Sequence, residues 1–176
     1  MKIPTVFKPL SSAQKAAATN VFGTSLEFSV IYLTELTGLG NRAFAFTVPP
    51  LISGPPYTFL NVGTYNPPQS TLIHELAHAW QAQHSDYATD YMKTAAVCEG
   101  ICASIRFFGI DCSPYFYRLG KPFDDCGVEQ MAQQVEHGVP AILNKVRAAS
   151  AGKQTPEATK ISTNIRWEVR GAGVVT

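Results

Sequence analysis

The most chemically loaded stretch of this chain is His74-Glu75-Leu76-Ala77-His78, two histidines four residues apart with a glutamate directly after the first. On a helix, residues four apart fall on one face about a turn apart, so two imidazoles spaced this way can grip one metal ion. Glu75 lies about 100° round the helix from His74, near enough to address a metal-bound water without ligating the metal. Zinc lowers the pKa of such a water to about 7, and a neighbouring carboxylate can take its proton during attack on a carbonyl. In a chain of this composition, chance produces the pattern roughly 0.4% of the time. Half of the four histidines are spent on it.

A catalytic zinc site needs a third protein ligand and an open fourth position. His84 follows His78 by six residues, the spacing of H-E-x-x-H-x-x-G-x-x-H, but Gln81 stands where that pattern has its chain-turning Gly. If the helix continues, His84 points roughly 100° away from the metal-facing line and reads as a polar helix end. Glu129 and Glu136 are the other candidates, seven residues apart and on a shared helix face. Glu129 is preferred, because Val128, Met131, Ala132 and Val135 surround it with core positions and a carboxylate there must find a partner. Glu136, followed by His137 and Gly138, reads as an exposed helix end. Tyr115 and Tyr117, just ahead of that helix, are candidate hydrogen-bond donors to an oxyanion, although aromatic packing beside Phe116 is the plainer reading. Trp80 reads as core.

These side chains have to be positioned by the rest of the chain. Ser11 and Ser12 precede a run of helix formers that Gly23 can close. Leu26–Leu33 and Arg42–Val48 read as strands, with Gly38 and Gly40 turning between them, so an antiparallel hairpin is expected. Pro49, Pro50, Pro55 and Pro56 impose a loop before a third strand, Tyr57–Val62. Ser70 can cap a helix carrying Leu72, Ile73, Leu76, Ala77 and Trp80 and running to about His84. A second helix starts at Ser85 or Asp86 and ends by Gly109; 110–125 is loop; Asp124 or Asp125 caps the helix that holds Glu129; a last helix runs through Val146. From Lys160 to Arg170 apolar and polar residues alternate, which argues for a late strand docking on the sheet. The fold class is α+β: a small antiparallel sheet of short strands, then a helical body carrying the His-Glu helix and a third-ligand helix. Residues 1–150 form the domain, and 151–176 a polar extension.

Composition narrows the function. With 45% apolar and 15% charged residues in 176, the chain can bury a real core, which excludes disorder and coiled coil. A net charge of +1 leaves no basic excess for holding a nucleic acid by its phosphates. No apolar run approaches the roughly 20 residues of a spanning helix. Pro4 and Pro9 break the N-terminal segment, so a secretory signal peptide is not expected. Cys98, Cys102, Cys112 and Cys126 are spaced unlike a four-cysteine zinc site; buried thiols and disulfides are the two readings left.

HELAHAWQ, followed some fifty residues later by YFYRLGKPFDDCGVEQMAQQVE, resembles the gluzincin-like metallopeptidase domains of bacterial secretion-associated toxins. These include domains fused to type VI secretion spikes and relatives in extracellular contractile injection systems. VFGTSLEFS (Val21–Ser29) matches the leading segment of such domains, and the likeness runs from about Val21 to Val146. The resemblance implies one Zn2+ held by His74, His78 and Glu129, with Glu75 as general base acting on a peptide bond of a protein or peptide substrate. It also implies an antibacterial effector exported without a signal peptide on a secretion-spike carrier to the periplasm of a target bacterium, with an immunity protein in the producer. Without such export the expected location is the cytoplasm. The four cysteines and the polar tail depart from the pattern; disulfides would suit an oxidising periplasm. Two other readings stay open: a non-catalytic module braced by structural zinc, and an amidase acting on a cell-wall peptide.

Overall fold

A four-stranded sheet carries the helical body on one face. The computed structural model describes residues 6–49, 55–85, 89–107, 112–115, 126–148 and 168–169. Its strands are β1 (Lys8–Pro9), β2 (Ile31–Thr34), β3 (Phe44–Val48) and β4 (Tyr57–Asn61), arranged in the order β1-β2-β4-β3. The class is α+β, as the composition of segments predicts, but the sheet is mixed rather than antiparallel. The expected hairpin does not form: β2 pairs with β4 in parallel, and β3 lies antiparallel on the far side of β4. Strand β2 is also shorter than the apolar run suggests, because Phe28–Val30 coil into a 3-10 turn whose entry is fixed by the Glu27 carboxylate accepting from Ser29 N–H at 2.9 Å.

The period-two pattern decides which face meets the helices. Ile31, Leu33, Ala45, Thr47, Thr58 and Leu60 point inward and are buried. The two inward threonines of the β3–β4 pair satisfy each other across the strands, Oγ1 to Oγ1 at 3.1 Å. Outward, Phe59 stacks with Tyr32 and tilts against Phe7, with ring centroids 6.0 and 5.0 Å away.

Helix α1 (Ser12–Phe22) is opened by a reciprocal cap. Ser11 Oγ accepts from Gln14 N–H, and Gln14 Oε1 accepts from Ser11 N–H. It ends at Gly23, which takes the left-handed φ of 61° that a side chain would resist. Helix α2 (Gln69–His84) starts two residues earlier than a Ser70 cap would have it. Pro68 precedes it, with its ring-fixed φ of −52° and its carbonyl accepting from Leu72 N–H. From Glu75 through Ala82 every residue of α2 is buried, so the helix runs through the middle of the protein rather than along its surface. Trp80, the largest side chain there, is core as expected and gives its indole N–H to Ser25 Oγ at 3.1 Å.

Helix α3 (Asp90–Phe107) and the short helix α4 (Val128–Glu136) flank α2. Helix α4 begins after Gly127 rather than on an aspartate cap; Gln130 Oε1 accepts from Gly127 N–H at 3.1 Å, and Asp124 and Asp125 lie outside the described residues. Gly138, at φ 71°, turns the chain into α5 (Pro140–Ala148). From there the Arg147 guanidinium donates to the Asn20 and Val21 carbonyls at the end of α1. Of the expected late strand only Glu168–Val169 is described; as β6 it pairs with β5 (Cys112–Ser113) in a separate two-stranded sheet and not with the main one, and the rest of Lys160–Arg170 lies outside the described residues. Cys102 is disulfide-bonded, whereas Cys126 is a buried thiol that takes a hydrogen bond from Gln134 Nε2 at 2.9 Å. The side chains of Cys98 and Cys112 lie outside the described set.

Candidate metal centre

Helix α2 holds His74 and His78 one turn apart, with ring centroids at 5.1 Å and planes at 78°. Glu129 enters from the first turn of α4, where the positive end of the helix dipole favours a carboxylate. Its Oε2 lies 3.4 Å from His74 Nε2 and 3.3 Å from His78 Nε2. The three ligand atoms fall within 4.8 Å of one another, so this group could hold a metal ion. The fit can be tested by arithmetic. Ligands bound tetrahedrally at about 2.0–2.1 Å are separated by about 3.3–3.4 Å, which is the spacing of these nitrogen and oxygen atoms.

Both imidazoles are also held from behind. His74 Nδ1 lies 3.2 Å from Glu136 Oε2, and His78 Nδ1 lies 2.8 Å from Gln81 Oε1. An N–H spent on an oxygen at Nδ1 leaves the Nε2 lone pair for a metal. Glu136 is therefore neither an exposed helix end nor a third ligand, since it meets the wrong nitrogen of His74. Gln133 steadies it, donating from Nε2 at 2.8 Å. His84 is not in the group and is not an exposed polar end. It is buried with its ring stacked on Trp80 at 4.5 Å and its Nδ1–H donating to the Trp80 carbonyl at 2.8 Å.

Glu75 is buried beside the cluster. It takes a hydrogen bond from the Ala45 backbone on β3, while its Oε2 finds no hydrogen-bond partner among the described residues. Burial pushes its carboxyl up, and the neighbouring histidines only partly counter this. A buried carboxylate oxygen without a partner is costly, which points to a group that the site is shaped to receive.

A cavity of about 850 Å3 opens over Glu75 and the His-His-Glu group, walled on one side by β3 and on the other by α3. Strand β3 is one edge of the sheet, whereas β4, the strand just before α2, has a partner on each side and offers no free edge. The β3 edge is bracketed by Arg42, which pairs with Glu99 of α3 at 3.3 Å, and by Thr47, whose N–H donates to Met92 Sδ at 3.3 Å. Tyr115 lines the same cavity with its ring 5.8 Å from that of His74, and its hydroxyl donates to Glu99 Oε1 at 2.7 Å. Burial pushes the phenol up, so it stays a neutral donor. Tyr117 lies outside the described residues.

The protons of the cluster follow from these contacts. Burial alone would keep His74 neutral, but the carboxylates of Glu129 and Glu136 overcome it and raise the imidazole to about 10. His78 moves up for the same kind of reason, burial being outweighed by the charge of Glu129. Glu129 is held well below its ordinary range: burial would raise it, but the two imidazoles, His78 first, win. Glu136 is lowered by its hydrogen bond to His74. For the protein stripped of metal, the raised histidines contribute stability in full below pH 6.5 and lose it as the pH climbs toward about 10. The lowered glutamates contribute above pH 4.5 and lose it on acidification, while raised Glu75 adds to the loss on the alkaline side. Thermal melts in chelator should therefore peak between about pH 4.5 and 6.5 and drop by several degrees by pH 9. A melting temperature that holds or climbs between pH 6.5 and 9 would contradict this proton arrangement.

No protein-family model, curated protein or solved structure matches the chain. Among the described residues, no helix is long and apolar enough to cross a membrane. The sequence reading missed Gln81, Arg42, Ala45, Met92 and Glu99. Gln81 had a signal: three residues after His78 on a helix, it had to share the face of that imidazole. The other four come from elements far away in sequence and carry no local mark.

Proposed function

We propose that this protein is a zinc-dependent peptidase in which Glu75 is the general base. The observation that carries the reading is the match of the two distances from Glu129 Oε2 to His74 Nε2 and His78 Nε2 to edges of a zinc tetrahedron, beneath an open cavity and with no fourth protein ligand among the described residues. Two imidazoles and one carboxylate are the donor set of a hydrolytic zinc site, and zinc bound there would polarise a carbonyl and acidify a coordinated water.

The chain's own residues supply the rest. Glu75, raised by burial, is suited to take a proton from an attacking water and hand it to the departing amine. Its partnerless Oε2 is the atom for that task. Tyr115, kept neutral, can give its O–H to the oxyanion once it leaves Glu99. Strand β3 lines the cavity as an edge strand, on which an extended peptide can pair by displacing the contacts that Ala45 makes to Glu75 and Thr47 to Met92. The resemblance of HELAHAWQ and the GVEQMA helix to secretion-associated toxin peptidases extends the reading to an exported antibacterial effector with an immunity partner.

The test is to incubate zinc-loaded protein with an unfolded polypeptide, a peptide library and cell-wall stem peptides, and to sequence any new amino termini. Chelator-sensitive cleavage of backbone amides is the expected result. Cleavage confined to stem peptides would make it an amidase, and one bound zinc with no cleavage of any of the three would leave only the structural-zinc reading.

A further inference from the structure

We propose that Gln81 is a positioning residue that locks the two halves of the ligand set to each other, fixing both the tautomer of His78 and the placement of Glu129. Its side chain is fully buried, at 0% exposure, on the α2 face that looks toward α4. Nε2 donates to the Val128 carbonyl at 2.8 Å, and Oε1 lies 2.8 Å from His78 Nδ1. Val128 is the first residue of α4 and the chain neighbour of Glu129.

The orientation of this amide is set by chemistry. A backbone carbonyl can only accept, so the group facing Val128 must be the NH2 and the group facing His78 must be the oxygen. An oxygen at that place can only accept, so His78 Nδ1 must carry its proton. The Nε2 of the neutral ring is then the nitrogen with a lone pair, and it is the one that faces Glu129. A single buried amide thus reads the start of α4 with one end and orders the ligand tautomer with the other. His74 is served differently, by the charged Glu136, which the same α4 carries in its last turn. A carboxylate could not replace Gln81, because it would face the Val128 carbonyl with a second acceptor. A hydrocarbon would leave both the carbonyl and the Nδ1–H without this buried partner.

The inference rests on the reading that His74, His78 and Glu129 hold zinc, and the experiment separates the two. Full-length wild type, Gln81→Met and Gln81→Glu are compared by zinc stoichiometry, by zinc affinity against a chromophoric chelator, by the rate of zinc release, and by thermal melts in chelator to establish folding. Gln81→Met should still take one zinc, but bind it about 10–100-fold more weakly, the effect usual for outer partners of a metal ligand. The loss should appear in faster release, which a merely structural role would not move. Gln81→Glu should weaken zinc binding too, because only the amide can serve both ends. Nitrogen-15 spectra of zinc-loaded wild type should show His78 with its proton on Nδ1 and zinc on Nε2, a measurement that stands even if a variant fails to fold. Zinc on His78 Nδ1, or a folded Gln81→Met with wild-type affinity and release rate, would overturn the role of Gln81. Absence of zinc binding by wild type would overturn the metal reading beneath it.

Discussion

Glu75→Gln is expected to lower turnover on the order of 10³-fold while zinc stoichiometry stays at one per chain. The substitution keeps the shape of the side chain and its ability to accept from the Ala45 backbone, but removes the capacity to take a proton. General-base contributions run at about 10²–10⁴-fold, and among the described residues the other carboxylates around the cavity are engaged elsewhere, Glu99 by Arg42 and Tyr115. Glu129 is engaged by both Nε2 atoms, and Glu136 is held at His74 Nδ1 on the other side of that ring. Folding should not suffer, since burial opposes the charge that the substitution deletes. The check is kcat and KM on a cleaved peptide beside elemental analysis of the same sample. Activity within a few-fold of wild type, with zinc retained, would remove Glu75 from the mechanism.

Glu129→Ala should weaken zinc binding by well over the roughly 100-fold that outer partners of a ligand contribute, because it deletes the only anionic ligand of the three. It should also change the stripped protein. Without that carboxylate, buried His78 loses the charge that raises it, and burial is left to favour its neutral form. The alkaline loss of melting temperature expected for wild type should therefore shrink in the variant. Zinc affinity equal to wild type would strip Glu129 of its role, and Glu136 could not inherit it without leaving His74 Nδ1.

What the sequence made legible was the part of the site written on single helices. The His74–Glu75–His78 spacing needs only helix geometry, and α2 delivers it. Glu129 could be chosen over Glu136 because Val128, Met131, Ala132 and Val135 promised a buried neighbourhood, and all four are buried. The sheet was less legible. Alternation located β3 and β4 well, but pairing is a choice among distant segments. Placing β4 between β2 and β3 joins Leu33 with Leu60 and Ala45 with Leu60 in one inward row, which no local pattern announces. Caps misled for a similar reason: Ser70 and the aspartates near 125 are good caps by type, but Pro68 and Gly127 hold those positions. His84 looked like a polar end because its imidazole could reach water, whereas stacking on Trp80 and a hydrogen bond to that residue's carbonyl make it core. Tyr115, for which aromatic packing was the plainer expectation, lines the cavity, and its partner Glu99 lies on α3 and had no sequence signature.

The ligands of the centre stand far apart along the chain, with 55 residues separating His74 from Glu129. An ion bound between them would act as a cross-link closing a loop of about fifty residues. A tie of that span removes about 4 kcal/mol of chain entropy from the unfolded state. The stretch inside the loop includes α3, the helix that forms the far wall of the cavity. Loss of such an ion would thus make the whole loop that carries α3 easier to unfold as well as empty the centre, so a metal bound there for chemistry would also help to keep the segments of the cleft folded together.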